Sequence, residues 1–100
     1  MIPEKIILKQ TKDLLKVEGF YVIRNHQSMG SHLGLSDITA IKDGVVLFIE
    51  TKTKTGKLSP HQIKFQNEIN RHGGNYIVVR DVEDIIKYLL KNNLGRERLF

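Results

Sequence analysis

Apolar residues change their spacing several times along the chain, and each change marks an element. Ile6, Ile7, Leu8, Leu14, Leu15 and Val17 recur loosely at helical intervals. Pro3 and Glu4 suit the start of that helix: proline fits a first turn, and an acid fits the positive end of the helix dipole. Glu18-Gly19 ends it. Residues 20–25, from Phe20 to Asn25, read as a first strand. Residues 26–33 are polar, carry Gly30 and follow neither period, so they predict a loop. Two β-rich runs then flank Asp43-Gly44, a dipeptide that favours a two-residue type I′ turn because both residues tolerate positive φ. Ser59-Pro60 predicts a helix cap followed by proline at the first helical position. Ile63, Phe65, Gln66, Ile69 and Asn70 carry that helix to Gly73-Gly74, where a left-handed residue is expected. Residues 76–80 form a continuous apolar run, hence a buried strand, and Asp81 caps a last helix through Val82, Ile85, Ile86, Leu89 and Leu90. A strand reached through a helix should run parallel to its neighbour by a right-handed crossover. The order α-β-β-β-α-β-α predicts an α/β fold, a mixed central sheet flanked by helices.

The hairpin carries the chemistry. With Asp43-Gly44 as the whole loop, facing positions sum to 87, so Lys42 faces Val45 and Asp37 faces Glu50. Opposed residues have Cβ atoms roughly 4.5–5.5 Å apart, and like charges so placed repel. Such a pair calls for a cation between its members. Lys52, two residues beyond Glu50, projects from the same face. Two carboxylates suit Mg²⁺, a hard ion that takes oxygen ligands and keeps several waters. An ammonium beside them can hold an attacking water or offset charge on a phosphate. The chemistry implied is metal-assisted phosphodiester hydrolysis. Both hairpin strands are apolar on both faces, which belongs in a sheet covered on both sides.

Composition narrows the class without naming a reaction. One hundred residues make one domain, assigned to 1–92, with a short tail over 93–100 that includes Arg96, Arg98 and Leu99-Phe100. The absence of cysteine excludes disulfide frameworks and thiolate metal sites. No apolar run approaches the roughly 20 residues of a membrane span, so the expectation is an intracellular, cytoplasmic protein with no membrane partner. A net charge of +5 suits a polyanion such as DNA. The loop 53–57 is basic and adjoins Lys52, which makes Lys54 and Lys57 candidates for phosphate contact. Arg24, Asn25, His26 and His32 sit beside the same site and are candidates too. The two histidines lack a helical frame or further ligands that would make them a metal pair.

At the hairpin the sequence resembles the PD-(D/E)XK nuclease superfamily, through Asp37 and Glu50-Thr51-Lys52. More narrowly it is similar to a stand-alone VRR-NUC (virus-type replication-repair nuclease) domain. The resemblance runs through Gly34-Leu35-Ser36-Asp37, Leu47 to Lys52, Gly56-Lys57-Leu58-Ser59-Pro60-His61-Gln62 and Gly73-Gly74-Asn75-Tyr76-Ile77-Val78-Val79-Arg80. Ser36 stands where that family usually has proline, a residue that shapes backbone. The resemblance implies a restriction-endonuclease-like fold and a Mg²⁺-dependent (Mn²⁺ substituting) structure-selective DNA endonuclease acting on branched DNA, with four-way (Holliday) junctions foremost. Flap-type or end-dependent cleavage is the alternative, and a non-catalytic DNA-binding module on a nuclease fold is the alternative of another class. It further implies catalytic roles for Asp37, Glu50 and Lys52, a supporting role for Gln62, and metal ligation by Asp37, Glu50 and the Thr51 carbonyl. For Glu4 two readings stay open: a fourth contributor to the metal, as the resemblance implies, or a favourable helix-terminus charge. A bacterial or phage-infected host cell, a role in DNA repair and no small-molecule cofactor complete the expectation. Two nicks placed symmetrically in a junction would match a symmetric homodimer, its interface drawn from the last helix and Leu99-Phe100.

Overall fold

The structure, a computed structural model, describes residues 1–95. Most of the expected tail, with Arg96, Arg98 and Leu99-Phe100, lies outside the described residues. Helix α1 (Glu4–Val17) leads into strand β1 (Tyr21–Arg24), the hairpin β2 (Ile38–Lys42) and β3 (Val45–Thr51), helix α2 (Pro60–Arg71), strand β4 (Asn75–Val79) and helix α3 (Val82–Lys91). The expected order α-β-β-β-α-β-α is thus the observed one. The four strands form one sheet in the order β1-β2-β3-β4. β1 and β2 pair antiparallel, as do β2 and β3, and β4 joins β3 in parallel.

Local chemistry sets the boundaries. Asp43 and Gly44 both take positive φ, 51° and 80°, as a two-residue I′ turn requires. The resulting register pairs Lys42 with Val45 and Ile38 with Ile49, the sum of 87 read from the turn. At α2 the cap is reciprocal: Gln62 N donates to Ser59 Oγ at 3.2 Å, and Ser59 N donates to Gln62 Oε1 at 2.8 Å. Asp81 starts α3 by accepting from Glu83 N at 2.9 Å.

The main core lies on one face of the sheet. Ile38, Ala40, Leu47, Ile49, Ile77 and Val79 meet Ile7 and Leu15 of α1 and Ile85 and Leu89 of α3, all buried. Lys42 Nζ ties the ends of α1 and α3 to this side, donating to Glu18 O at 2.8 Å and Leu94 O at 3.1 Å. The other face carries a smaller aromatic cluster, in which Phe65 of α2 meets Phe48 and Tyr76 edge to face with ring centroids 5.6 and 6.0 Å away. Helices therefore flank both faces, but α2 lies over the β3–β4 side. Tyr21 and Ile23, on the β1 edge, remain 70% and 38% exposed.

Candidate active site

Glu50 sits near the end of β3, the second strand from one edge, with Ile49 held in both ladders and Thr51 in the ladder with β4. It is 2% exposed. Gln62 Nε2 donates to Glu50 Oε1 at 3.1 Å, while Oε2 has no hydrogen-bond partner. Gln62 thus does two things at once, closing the α2 cap with its oxygen and holding Glu50 with its nitrogen.

Asp37 enters from the residue before β2, one step past the last hairpin pair, Ile38 with Ile49. The hairpin ladder ends at that pair, and Asp37 lies close enough to Glu50 for its charge to bear on it. Its carboxylate leans along the strand: Oδ2 accepts from the Thr51 backbone N and from Thr51 Oγ1, each at 2.8 Å. Burial, followed by the like charge of Asp37 and by a proton shared with the Asp37 carboxyl, which stands within hydrogen-bonding reach, pushes the Glu50 carboxyl up to about 8. Lys52 pulls it back down, so its ammonium lies within electrostatic reach of the pair. Glu4, exposed at the first turn of α1, adds a smaller push upward.

Several residues expected at the DNA surface are engaged inside the fold. Arg24 Nη1 donates to the Asp37 carbonyl at 3.1 Å and to the Asn25 carbonyl, and stands 3.9 Å from Asp37 Oδ1. Asn25 donates from Nδ2 to Ser36 O at 3.0 Å and to Thr39 Oγ1 at 2.8 Å, and its backbone N donates to Asp37 O at 2.8 Å. Both side chains brace the segment that delivers Asp37. Ser36 is buried and donates to Ile38 O at 3.1 Å, a backbone-shaping bond in place of proline's ring. His26 and His32 are exposed; the His32 ring stands edge to face against Phe65 at 5.5 Å. Lys54 and Lys57 are exposed on the loop after Lys52.

Two determinants of this geometry carry no catalytic signature in sequence. Gly34 has φ +76°, and a Cβ there would lie 2.1 Å from the His61 carbonyl oxygen, so glycine lets the loop press against the first turn of α2 beside Gln62. Arg80 folds the basic loop around itself: Nη1 donates to Thr53 O at 2.7 Å and Gly56 O at 2.6 Å. Lys52 N donates to Val79 O at 3.0 Å, which extends the β3–β4 pairing past Thr51 and fixes the lysine's direction.

Among the described residues no group of three or more His, Cys, Asp and Glu side chains is gathered as a metal cluster. Asp37 and Glu50 therefore stand as a pair and not as part of a larger acidic cluster among the described residues. Oxygen donors alone, with one buried carboxylate oxygen open and a fold that resists its charge, fit a hard divalent ion such as Mg²⁺.

A family model described as archaeal Holliday junction resolvase (hjc) matches residues 8–97 of the chain. Among solved structures, one described as a VRR_NUC domain is similar, with a TM-score of 0.74 at 24% identity over 88% of this chain and 94% of that one. Both are nucleases of the PD-(D/E)XK type, and the fold is of that type. No curated protein matches.

Proposed function

The chain belongs to the archaeal Holliday junction resolvase (hjc) family, and on that premise we propose a Mg²⁺-dependent, structure-selective DNA endonuclease that nicks four-way junctions as a symmetric homodimer. The observation that carries this reading is the buried Glu50 carboxyl, one oxygen open, beside Asp37 and within reach of Lys52. Such an arrangement costs stability unless a cation completes it.

Asp37, Glu50 and the Thr51 carbonyl are the residues that would hold the ion, with Mn²⁺ a workable substitute. When bound, it supplies Lewis acidity at a phosphate oxygen and neutralises charge developing there. The chain's own groups do the rest. Gln62 fixes one oxygen of Glu50, and Thr51 fixes one oxygen of Asp37 through two donors. Lys52 holds the water that adds to phosphorus as the bond to the leaving oxygen breaks, and offsets negative charge at that phosphate. Lys54 and Lys57, on the loop shaped by Arg80, together with His26 and His32, receive neighbouring phosphates.

Two nicks related by symmetry in the DNA require two such sites, which a two-fold dimer supplies. Exposed apolar side chains available for an interface include Ile86 and Leu90 on α3 and Tyr21 and Ile23 on the edge strand β1.

The test is cleavage of labelled four-way junctions, flaps and linear duplex in Mg²⁺, with an EDTA control. Preference for flaps or free ends would replace the junction reading, and a folded Glu50→Gln variant cutting at the parental rate would remove the mechanism. Light scattering coupled to size exclusion reads the dimer; a mass near the chain's own 11.5 kDa would sink it.

A further inference from the structure

Among the described residues two buried side-chain polar atoms lack a hydrogen-bond partner, Glu50 Oε2 and the Tyr76 hydroxyl. Topology places them on the same face. β3 and β4 run parallel with Phe48 beside Tyr76 and Glu50 beside Val78, and residues two apart on a strand project from one side. Tyr76 therefore occupies the Glu50 face of the adjacent strand, at the diagonal position whose spacing of about 7–8 Å long and aromatic side chains span. Phe65 packs its ring against both Tyr76 and Phe48, closing that flank. The Asp37–Glu50 carboxyl pair lies within electrostatic reach of the phenol.

A buried donor and a buried acceptor that each lack a partner are costly apart and complementary together. We propose that Tyr76 is a positioning residue whose hydroxyl, not bonded to Glu50 in the ion-free chain, donates to the unpaired oxygen of Glu50 when the divalent ion is bound and so, with Gln62 on the other oxygen, fixes the carboxylate for that ion. The inference rests on the metal-dependent reading above. Residues that orient a metal-binding carboxylate commonly change affinity tenfold or more when removed.

The experiment is Mn²⁺ binding to the full chain by titration calorimetry without DNA, comparing the parent with Tyr76→Phe. The expected result is at least a tenfold weaker Mn²⁺ Kd, with junction affinity in EDTA unchanged and the metal-free Tm unchanged or raised. Tyr88→Phe is the control, since that hydroxyl bonds Asn75 Oδ1 at 3.4 Å rather than facing Glu50, and should leave the Kd at its parental value. If the phenylalanine variant fails to fold, Tyr76→Met offers an apolar side chain without the hydroxyl and carries the same expectation. A parent that binds Mn²⁺ and a folded variant that binds it equally well would overturn the positioning role alone. A parent that binds no divalent ion would overturn the metal-dependent reading, and the inference with it.

Discussion

Replacing Glu50 by glutamine tests the carboxylate pair through stability, independently of any DNA substrate. The substitution keeps the shape and the acceptor for Gln62 but removes the charge. Glu50 titrates near 4.5 when unfolded and is pushed up to about 8 in the fold, by burial first and Asp37 second. The fold therefore favours the neutral form. Below 4.5 the residue is neutral in both states, and its contribution to stability is fully present. As pH rises towards 8 the unfolded chain ionises it while the folded chain resists, and stability falls; above 8 the loss levels off. At about 1.4 kcal/mol per pKa unit the whole loss is about 5 kcal/mol, of which about 3 is reached by pH 7. That is a large share of the roughly 5–15 kcal/mol that holds a domain together. Metal-free Glu50→Gln should thus exceed the parent by about 3 kcal/mol at pH 7, on the order of 10–20 °C in Tm. Mg²⁺ should narrow the gap by stabilising the parent alone. Urea unfolding at pH 5, 7 and 9, in EDTA and in Mg²⁺, reads the effect, and the difference between the proteins cancels groups common to both. Parallel stability–pH curves, or an equal response to Mg²⁺, would refute the reasoning.

Metal binding at pH 7 should release close to one proton, since a group titrating near 8 holds it until the ion displaces it; calorimetry in buffers of different ionisation enthalpy measures this, and the release should vanish above pH 9. Asp37→Asn and Lys52→Ala should abolish cleavage yet keep the fold and much of the junction affinity, read by circular dichroism and fluorescence anisotropy. Glu4→Gln should raise the Mg²⁺ concentration needed for cleavage if that acid joins the metal site, whereas an unchanged titration returns it to a helix-terminus charge. Gly34→Ala combines a positive φ with a Cβ 2.1 Å from His61 O, so it should cost on the order of 3 kcal/mol and, by moving Gln62, slow cleavage among the molecules that stay folded.

The hairpin was legible because its turn is short. A two-residue loop admits one register, so Asp43-Gly44 alone brings Asp37 and Glu50 to the same end of the hairpin. The start of α2 was equally plain in Ser59-Pro60, although the double use of Gln62 was not: spacing shows that a glutamine can close a cap, not where its amide nitrogen then points. Arg24 and Asn25 show the same limit. Each is a donor beside the site, which suggested phosphate, but their acceptors include the carbonyls of Ser36 and Asp37, supplied by a segment that only the sheet pairing brings alongside. Gly34 belongs to a run that carries the resemblance, but the reason that glycine is needed there shows only with the helix it touches in place. Period-two alternation also showed two apolar faces without showing how far one helix reaches, and the β1 end of the α2 face stays open.

What distinguishes the site from the rest of the domain is the direction of its conflicts. Elsewhere the choices agree with one another: the turn with the register, the caps with the helices, the core face of the sheet with α1 and α3 above it. The exceptions meet on one face of β3 and β4, as a buried acid that the fold resists charging, an acceptor without a donor and a phenol without an acceptor. None is a loop defect, since all three sit in paired strands where relaxation is dearest. Glu50 cannot swing out to water without breaking its bond to Gln62, and Asp37 is held by Thr51 and braced through Arg24. A rigid frame around unmet polar groups is how binding sites are preorganised, because the ligand then meets donors already in position. The strain is therefore of the sign that a divalent cation relieves, and its location explains why the most costly residues of the domain are also those to which its chemistry is assigned.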